Sequence, residues 1–183
     1  VIHNFMSGHN KWSKIKHKKG VADADKSKVF SKITRLITME SKLAKGDINS
    51  SGLRNAVEKA KSINIPRDNI DRAIKKGIGA DAGNMESVLY EAYGPGGSAI
   101  IIDGLTDNKN RTGAEIKHIL SKNNLTLAVQ GSASWAFENI DSVWKPKTLV
   151  EMPMKEKELL KKIINELEEN DDVQNIYTNT DIN

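Results

Sequence analysis

Cysteine is absent from this 183-residue sequence, which excludes disulfide scaffolds, thiol nucleophiles and cysteine-ligated zinc. Aromatic residues make up only 5% of the chain. The longest apolar run, from Ala99 to Ile102, is far too short to cross a bilayer, and the first residues contain no apolar signal region. With 38% hydrophobic residues, the composition predicts a soluble, cytoplasmic protein of one medium domain or two small ones.

Sequence patterns for catalysis and for bound cofactors are also missing. There is no HExxH metal spacing, no GxSxG nucleophile elbow and no Gly-Lys-Ser/Thr phosphate loop. Strand alternation predicts that Glu91 lies on a solvated face. We therefore expect no enzyme, no cofactor, no metal site and no small-molecule substrate. Glu91, Asp103 and Glu115 could in principle form a carboxylate pair, and His118 on its helix is more often a surface or boundary residue than a base.

Charge is distributed unevenly along the chain. Between Ser7 and Ile78 there are 18 lysine and arginine residues and 7 acidic ones, a net charge of +11, whereas all other residues together carry −7. Such a division is typical of a polyanion-binding module joined to a near-neutral or acidic one. The alternative is a solvated helical surface that is merely rich in lysine.

The segment from Ser7 to Gly20 has no apolar periodicity and is predicted to be an extended or weakly helical basic arm. Contact of this arm with about five phosphates would give a log–log salt slope of roughly −4 to −5. Trp12 is predicted either to stack on an unpaired base or to pack the arm onto the helices. The candidate nucleic-acid-binding residues are Lys11, Trp12, Lys14, Lys16, His17, Lys18, Lys19, Lys26, Lys28, Lys32, Arg35, Lys75 and Lys76.

Apolar periodicity divides the rest of the chain into helices and strands. Ser51 is predicted to cap the second helix, and Pro66 suits the first turn of the third. The order after the third helix, ββαββαβ, predicts an α+β sandwich with a mainly antiparallel sheet and two helices, preceded by a three-helix bundle. Helices are predicted over 25–44, 52–62, 66–77, 108–123 and 155–169, and strands over 88–93, 98–105, 132–138, 148–152 and 173–178.

Three further segments have a functional and a structural interpretation. At the start of the helix over 108–123, Lys109 and Arg111 are a candidate anion contact. The alternative is a capping segment in which Thr106 or Asp107 satisfies amide donors. The acidic run from Glu166 to Asp172 is either a surface for a basic partner or a solvated face. Gly94-Pro95-Gly96-Gly97 leads from strand to strand, so we interpret it as a turn rather than a nucleotide site.

Five segments in order, SGHNKWSKIKHKKG, NIPRDNIDRAIKKG, YEAYGPGGSAIII, LTDNKNRT and DDVQNIYTNTDI, carry a resemblance to a known family. They resemble the successive motifs of the YebC/PmpR family of probable transcriptional regulatory proteins, which includes the mitochondrial translational activator of cytochrome c oxidase. The resemblance extends from Ser7 to Ile182. It implies a non-enzymatic, cytoplasmic, multi-domain α+β protein with a helical N-terminal domain.

The resemblance implies a DNA-binding transcriptional regulator. A ribosome- or rRNA-associated translation factor that activates translation or relieves stalling is the first alternative, and a protein-interaction module acting through the acidic α+β domain is the second. Expected partners are DNA, ribosomal RNA or the ribosome, and no membrane. Relatives usually carry a third domain inserted before the final strand–helix–strand, and the sequence predicts that this domain is missing here. The implied organisation is a leader and basic arm at 1–20, a helical domain at 21–78, a linker at 79–84, an α+β domain at 85–138 plus 148–183, and a short connection at 139–147 in place of the third domain.

Overall fold

The computed structural model describes Gly8–His9 and residues 23–182, which form two compact units. The helical unit takes in the described residues of 11–88 and 105–109, and the α/β unit takes in the others. The helices are α1 (Asp23–Leu43), α2 (Ser51–Ser62), α3 (Arg67–Ile78), α4 (Lys109–Lys122) and α5 (Met154–Glu168). The strands are β1 (Gly8–His9), β2 (Glu86–Tyr93), β3 (Ala99–Thr106), β4 (Phe137–Ile140), β5 (Val143–Pro146) and β6 (Val173–Thr178).

The helical unit is built on three amphipathic helices, as predicted. The side chain of Ser50 caps α2 by accepting a hydrogen bond from the Leu53 N–H at 3.4 Å, so the prediction of Ser51 was wrong by one residue. Pro66 precedes α3 at its N-cap position, where the missing N–H costs nothing. The buried core of this unit consists of Val29, Ile33, Ile37, Leu53, Ala56, Ala60, Ile65, Ile70 and Ala73.

Helices α1 and α3 approach each other closely, and small polar residues make the approach possible. The Thr38 hydroxyl donates to the Ala73 carbonyl at 3.2 Å, and the Ser41 hydroxyl donates to the Ile74 carbonyl at 2.8 Å. A Cβ on Gly77 would lie 2.5 Å from the Thr38 carbonyl oxygen and 2.6 Å from the Ser41 Cβ. Glycine at position 77 therefore sets the spacing of the two helices.

After α3 the chain turns through a short 3₁₀ segment, Ala80–Asn84, within the predicted linker. The Lys42 ammonium donates to the carbonyl oxygens of Gly83 and Met85 at 3.3 and 2.7 Å. These two bonds tie the segment to α1 within the helical unit.

The α/β unit contains a four-stranded sheet in the order β1-β6-β3-β2, in which β6 is antiparallel to both β1 and β3. Alternation along β3 sends Ile100 and Ile102 into one core with residues of α4 and α5, including Ile116 and Ile163. The opposite face packs Ile101 into a second core with Ala133, Ala136, Phe137 and Tyr177. This architecture is the α+β fold that the sequence predicts.

Two of the predicted strands are wrong in detail. The segment over 132–138 begins with a 3₁₀ turn, Ser134–Ala136, and becomes a strand only at Phe137. Trp135, which lies in that turn, is 64% exposed. No strand forms over 148–152, where the Val150 N–H donates to the Asn179 carbonyl at 2.7 Å and the Val150 carbonyl accepts from the Thr180 hydroxyl at 2.6 Å.

Strand β5, which the sequence pattern does not predict, pairs with β4 instead. The register runs from Phe137↔Pro146 to Ile140↔Val143, and Asp141 and Ser142 form the turn with φ of 51° and 64°. Two central residues with positive φ are the signature of a type I′ hairpin. The short connection predicted at 139–147 is thus a tight hairpin. In the part of the chain that the structure describes, no helix has the length and apolarity needed to span a membrane.

Candidate nucleic-acid interface

An open groove of about 500 Å³ lies between α1 and α3 in the helical unit. Its lining from α3 repeats every three or four positions, at Asn69, Arg72, Ala73 and Lys76, which places these residues on one helix face. The residues of α1 follow the same rule. The remaining lining residues are Ser27, Phe30, Ser31, Thr34, Arg35, Thr38, Met85 and Asp107.

Three cations face one carboxylate in this groove. The Arg72 guanidinium is held along α3, because its Nε donates to the Asp68 carbonyl at 3.2 Å and its Nη2 donates to the Asn69 side-chain oxygen. Lys76 is exposed, Arg35 is half-buried, and Asp107 is the acidic residue of the lining. The groove is therefore polar and net positive.

Hydroxyl groups supply the other polar atoms of the lining. The Thr34 hydroxyl donates within its own helix, to the carbonyls of Phe30 and Ser31 at 2.9 and 2.8 Å. Ser27 is exposed and Ser31 is half-buried at the groove surface. Arginine, lysine, serine and asparagine are the side chains that most often contact phosphate oxygens of nucleic acids. The arrangement suits the oxygens of a sugar–phosphate backbone.

The structure brings together only some of the predicted nucleic-acid-binding residues. Arg35 and Lys76 line the groove, and Lys75 is exposed one position away on α3. Lys26 is exposed and Lys28 half-buried, but Lys32 is only 5% exposed and offers little surface to a polyanion. Seven further candidates lie outside the described residues: Lys11, Trp12, Lys14, Lys16, His17, Lys18 and Lys19.

Sequence reasoning missed Arg72, Asn69, Ser27 and Ser31 as groove residues. The signal was the helical spacing of polar residues, since Ser27, Ser31 and Thr34 share a face of α1 and Asn69, Arg72 and Lys76 share a face of α3. Counting charges along the chain does not reveal this signal, because the two faces are about 40 residues apart in sequence and meet only through the fold.

The segment before α4 behaves as the capping alternative requires. The Thr106 hydroxyl accepts a hydrogen bond from the Asn108 N–H at 2.9 Å. The Arg111 guanidinium lies 2.7 Å from the carboxylate of Asp172, whose side chain is only 3% exposed, and the Thr112 hydroxyl donates to the same oxygen at 2.6 Å. Lys109 lies 4.0 Å from Glu86. Both candidate anion-binding cations therefore already face carboxylates.

The acidic run from Glu166 to Asp172 begins in the last turn of α5, and part of it is hydrogen-bonded or buried inside the α/β unit. The Glu166 carboxylate accepts from the Asn123 amide at 2.9 Å and lies 3.7 Å from both Lys122 and Lys162. The Asn123 hydrogen bond and the two ammonium groups lower the pKa of Glu166. Glu168 and Asp172 are buried. Glu169 and Asp171 are exposed, so two of the five acidic residues remain as an acidic surface.

Glu91 is not on a solvated face, and the prediction that it is was wrong. Its side chain is 2% exposed because the segment 128–136 folds over it. Its carboxylate accepts hydrogen bonds from the N–H groups of Gly131, Ala133 and Ser134 at 2.8, 2.6 and 2.8 Å. Burial raises the pKa of Glu91, but these hydrogen bonds outweigh burial and hold the pKa below its ordinary value. Glu91 is a structural carboxylate that organises a loop.

Asp103 is a third carboxylate with a shifted pKa, and its shift is upward. Burial raises the pKa of Asp103, and the Asn175 amide, which donates to it at 3.0 Å, opposes this effect. Burial and the nearby Asp103 charge raise the pKa of Tyr177 to about 12. His118 is exposed on α4. Over Gly8–His9 and 23–182, no group of three or more histidine and acidic side chains is arranged to hold a metal ion.

Comparison with known proteins covers both units of the chain. Residues 10–80 match the family model described as the TACO1/YebC protein N-terminal domain. Residues 85–140 and 137–180 match the model described as the TACO1/YebC second and third domain. The two segments of the second match meet at residues 137–140, which form β4 of the hairpin.

Individual relatives are similar over almost the whole chain. A probable transcriptional regulatory protein of Thermoanaerobacter pseudethanolicus is 37% identical over 240 aligned positions, which cover 97% of this chain and 98% of the relative. A protein of the same description from Geobacter sulfurreducens is 37% identical over 238 positions, covering 97% and 96%.

A solved structure supports the same assignment. The crystal structure of a conserved hypothetical protein from Aquifex aeolicus superposes with a TM-score of 0.84 at 30% sequence identity, covering 93% of this chain and 96% of that one. On the family models and these relatives together, the chain belongs to the TACO1/YebC family.

Proposed function

We propose that this protein is a regulator of gene expression that binds the sugar–phosphate backbone of a nucleic acid with its helical unit, and that it is not an enzyme. The observation that carries the proposal is the groove between α1 and α3, where Arg35, Arg72 and Lys76 stand beside the hydroxyls of Ser27 and Ser31. The net charge of +11 between Ser7 and Ile78 adds long-range attraction for a polyanion.

Duplex DNA is the first candidate target, because the curated relatives carry the name probable transcriptional regulatory protein. Ribosomal RNA offers the same phosphate chemistry and is the alternative target. Contacts to phosphate position a protein without reading sequence. The groove therefore accounts for affinity, and selectivity for one target must come from base contacts or from shape.

The proposal is tested by removing two cations from the groove and two from elsewhere in the same unit. Arg72→Ala/Lys76→Ala empties one side of the groove, whereas Arg54→Ala/Lys59→Ala removes the same charge from exposed positions of α2. Binding of a fixed duplex DNA and of an rRNA fragment is measured at several salt concentrations.

Loss of two phosphate contacts reduces the log–log salt slope by about 1.8 for duplex DNA. We expect this reduction, with about tenfold weaker binding, for the groove variant and little change of slope for the α2 variant. Equal effects of the two variants would mean that only overall charge matters, and binding unchanged in both would refute the groove.

Competition at one salt concentration separates the two targets. If duplex DNA displaces the rRNA fragment from the protein at equal phosphate concentration, transcriptional regulation is favoured. If the rRNA fragment remains bound in excess duplex, the chain acts as a translation factor. In both cases the groove variant must lose affinity for the preferred target.

A further inference from the structure

An aromatic patch lies exposed on the α/β unit, far in sequence from the basic helices. Trp135 is 64% exposed, Tyr93 is 42% exposed and Val129 is 81% exposed. Trp135 belongs to the 3₁₀ turn Ser134–Ala136, and Tyr93 ends β2. Large aromatic side chains left in solvent next to one another commonly mark a contact surface.

The two aromatic side chains are held in one arrangement. The Trp135 indole N–H donates to the Tyr93 hydroxyl at 3.3 Å, and this hydroxyl donates in turn to the Ser132 carbonyl. Because the indole N–H is already used, its flat π face is the part of Trp135 that remains for a ligand. A rigid ring loses little conformational entropy when it is covered.

The loop that carries Trp135 is built around one buried carboxylate. Glu91 accepts hydrogen bonds from three backbone N–H groups of this loop, and its own carbonyl accepts from the Ala128 N–H at 2.8 Å. Gly131 supplies a positive φ of 88° at the turn. Three hydrogen bonds to an ionised group hold the loop that carries Trp135 in one conformation.

Two exposed lysines lie on the segment that pairs with the chain just after Trp135. The Lys147 N–H donates to the carbonyl of Ala136, the neighbour of Trp135, at 2.9 Å, and Lys147 is exposed. Lys145, also exposed, lies two positions earlier on β5. An exposed aromatic face with exposed lysines on the neighbouring segment offers stacking for a base and positive charge for its phosphate, the combination that single-strand-binding proteins use.

The size of the patch also favours a base over a protein partner. A Trp or Tyr side chain presents at most about 150–250 Å², whereas a stable protein interface needs roughly 800 Å² from each partner. Two aromatic rings and one valine fall well short of that area, but they match the size of one nucleobase.

We propose that Trp135, supported by Tyr93, is a stacking platform for an unpaired base of a single-stranded nucleic acid whose phosphate contacts Lys147. This inference rests on the proposed function, because it assumes a nucleic-acid partner. It adds a second contact with a different chemistry from that of the groove.

The test measures binding of a short oligouridine RNA and of a duplex DNA with the same number of phosphates. Trp135→Ala is expected to weaken oligouridine binding by about tenfold without changing the salt slope, since stacking releases no counterions. Duplex binding should be unchanged. Trp135→Phe retains a ring and should recover most of the affinity, and Leu159→Ala, at another exposed apolar position of the unit, should have no effect.

Fluorescence gives a second readout. In a Trp12→Phe background, stacking on Trp135 should quench tryptophan emission on addition of oligouridine, and Trp135→Phe should abolish that quenching. The pairing of quenching with weakened single-strand binding distinguishes a stacked base from a change in folding.

The results that would contradict the proposed function differ from those that would contradict only the role of Trp135. If no nucleic acid binds at all, the proposed function fails. If oligouridine binds normally to Trp135→Ala, while Arg72→Ala/Lys76→Ala binds weakly, the platform alone is wrong. Concentration-dependent self-association that disappears in Trp135→Ala would also overturn the platform, because the patch would then be an interface between two copies of the chain.

Discussion

The helical unit and the α/β unit use charged residues in opposite ways. In the helical unit, Arg72 and Lys76 stand at the surface of an open groove. In the α/β unit, Glu91 and Asp172 are buried and accept hydrogen bonds from partners within the unit. Charges that bind a polyanion must stay accessible, whereas buried charges that organise the fold must be compensated by hydrogen bonds or ion pairs.

We therefore expect affinity and folding stability to respond to different substitutions in this protein. Removing a surface cation should change affinity and leave stability nearly unchanged, since exposed charges contribute little to folding. Removing a buried carboxylate should lower stability and leave affinity nearly unchanged. The following predictions test that division, beginning with the largest expected effect.

Glu91→Leu should be the most destabilising of these substitutions. It leaves the N–H groups of Gly131, Ala133 and Ser134 without their acceptor inside the fold. Each buried donor that loses a charged acceptor can destabilise the fold by about 1.5–3 kcal/mol. Because water can hydrogen-bond to some of these donors, we expect the free energy of unfolding to fall by about 3 kcal/mol in total. Urea unfolding followed by circular dichroism measures it.

Glu138→Leu is the matched control for that experiment. Glu138 lies on β4 in the same unit, opposite Lys145, and is exposed. Its replacement should change the free energy of unfolding by no more than about 0.5 kcal/mol. A similar loss for both substitutions would mean that burial of Glu91 contributes nothing particular to the loop.

Gly77→Ala should destabilise the helical unit by about 1–3 kcal/mol, the usual cost of overpacking. The added methyl group would lie within 2.6 Å of atoms of Thr38 and Ser41, so α1 and α3 must separate. Because the groove lies between these helices, the affinity for duplex DNA should also fall. Gly83→Ala is the control, since a Cβ there meets no atom within 4 Å. Equal stability of the two variants would show that the helices can move apart at no cost.

At acidic pH, the free energy of unfolding should depend on two carboxylates whose pKa values are shifted in opposite directions. Because the folded pKa of Glu91 is lowered, the unfolded chain binds its proton more tightly, so Glu91 stabilises the fold above the ordinary carboxyl range of about 4.3 and loses this contribution as pH falls. The folded pKa of Asp103 is raised. Asp103 therefore stabilises the fold at low pH, and this contribution is lost as pH rises through the raised pKa.

Unfolding measured from about pH 3 to about pH 7 separates the two contributions. Glu91→Gln should flatten the rise of stability with pH, and Asp103→Asn should steepen it. If both substitutions shift the curve in the same direction, the sign assigned to one of the two carboxylates is wrong.

Much of the fold could be predicted from the sequence, because it depends on local periodicity. Strand β6 occupies residues 173–178 as predicted, and α1 to α5 begin and end within about two residues of their predicted bounds. The order ββαββαβ also occurs, but its fourth strand is β5 at Val143–Pro146 instead of the predicted 148–152. Apolar spacing determines which face of each element is buried, and that information is contained in a few consecutive residues.

The groove and the platform could not be predicted because they depend on residues distant in sequence. The partners of Glu91 lie 40 to 43 residues further along the chain. The exposure of Trp135 follows from a 3₁₀ turn that interrupts an alternating pattern. Strand β5 ends in Pro146, and proline counts against a strand unless it lies at an edge.

The β4–β5 hairpin provides the smallest predicted effect. Its turn residues, Asp141 and Ser142, both have positive φ, but neither is the glycine that a type I′ turn favours at its second position. Ser142→Gly should therefore raise the free energy of unfolding by about 0.5–1 kcal/mol through relief of backbone strain. Thermal unfolding measures the gain, with Gly131→Ala, which introduces a side chain at a φ of 88°, as a comparison that should lower stability. A loss of stability in Ser142→Gly would mean that the serine side chain contributes more to this turn than its backbone strain costs, and the hairpin would then be specified by its side chains.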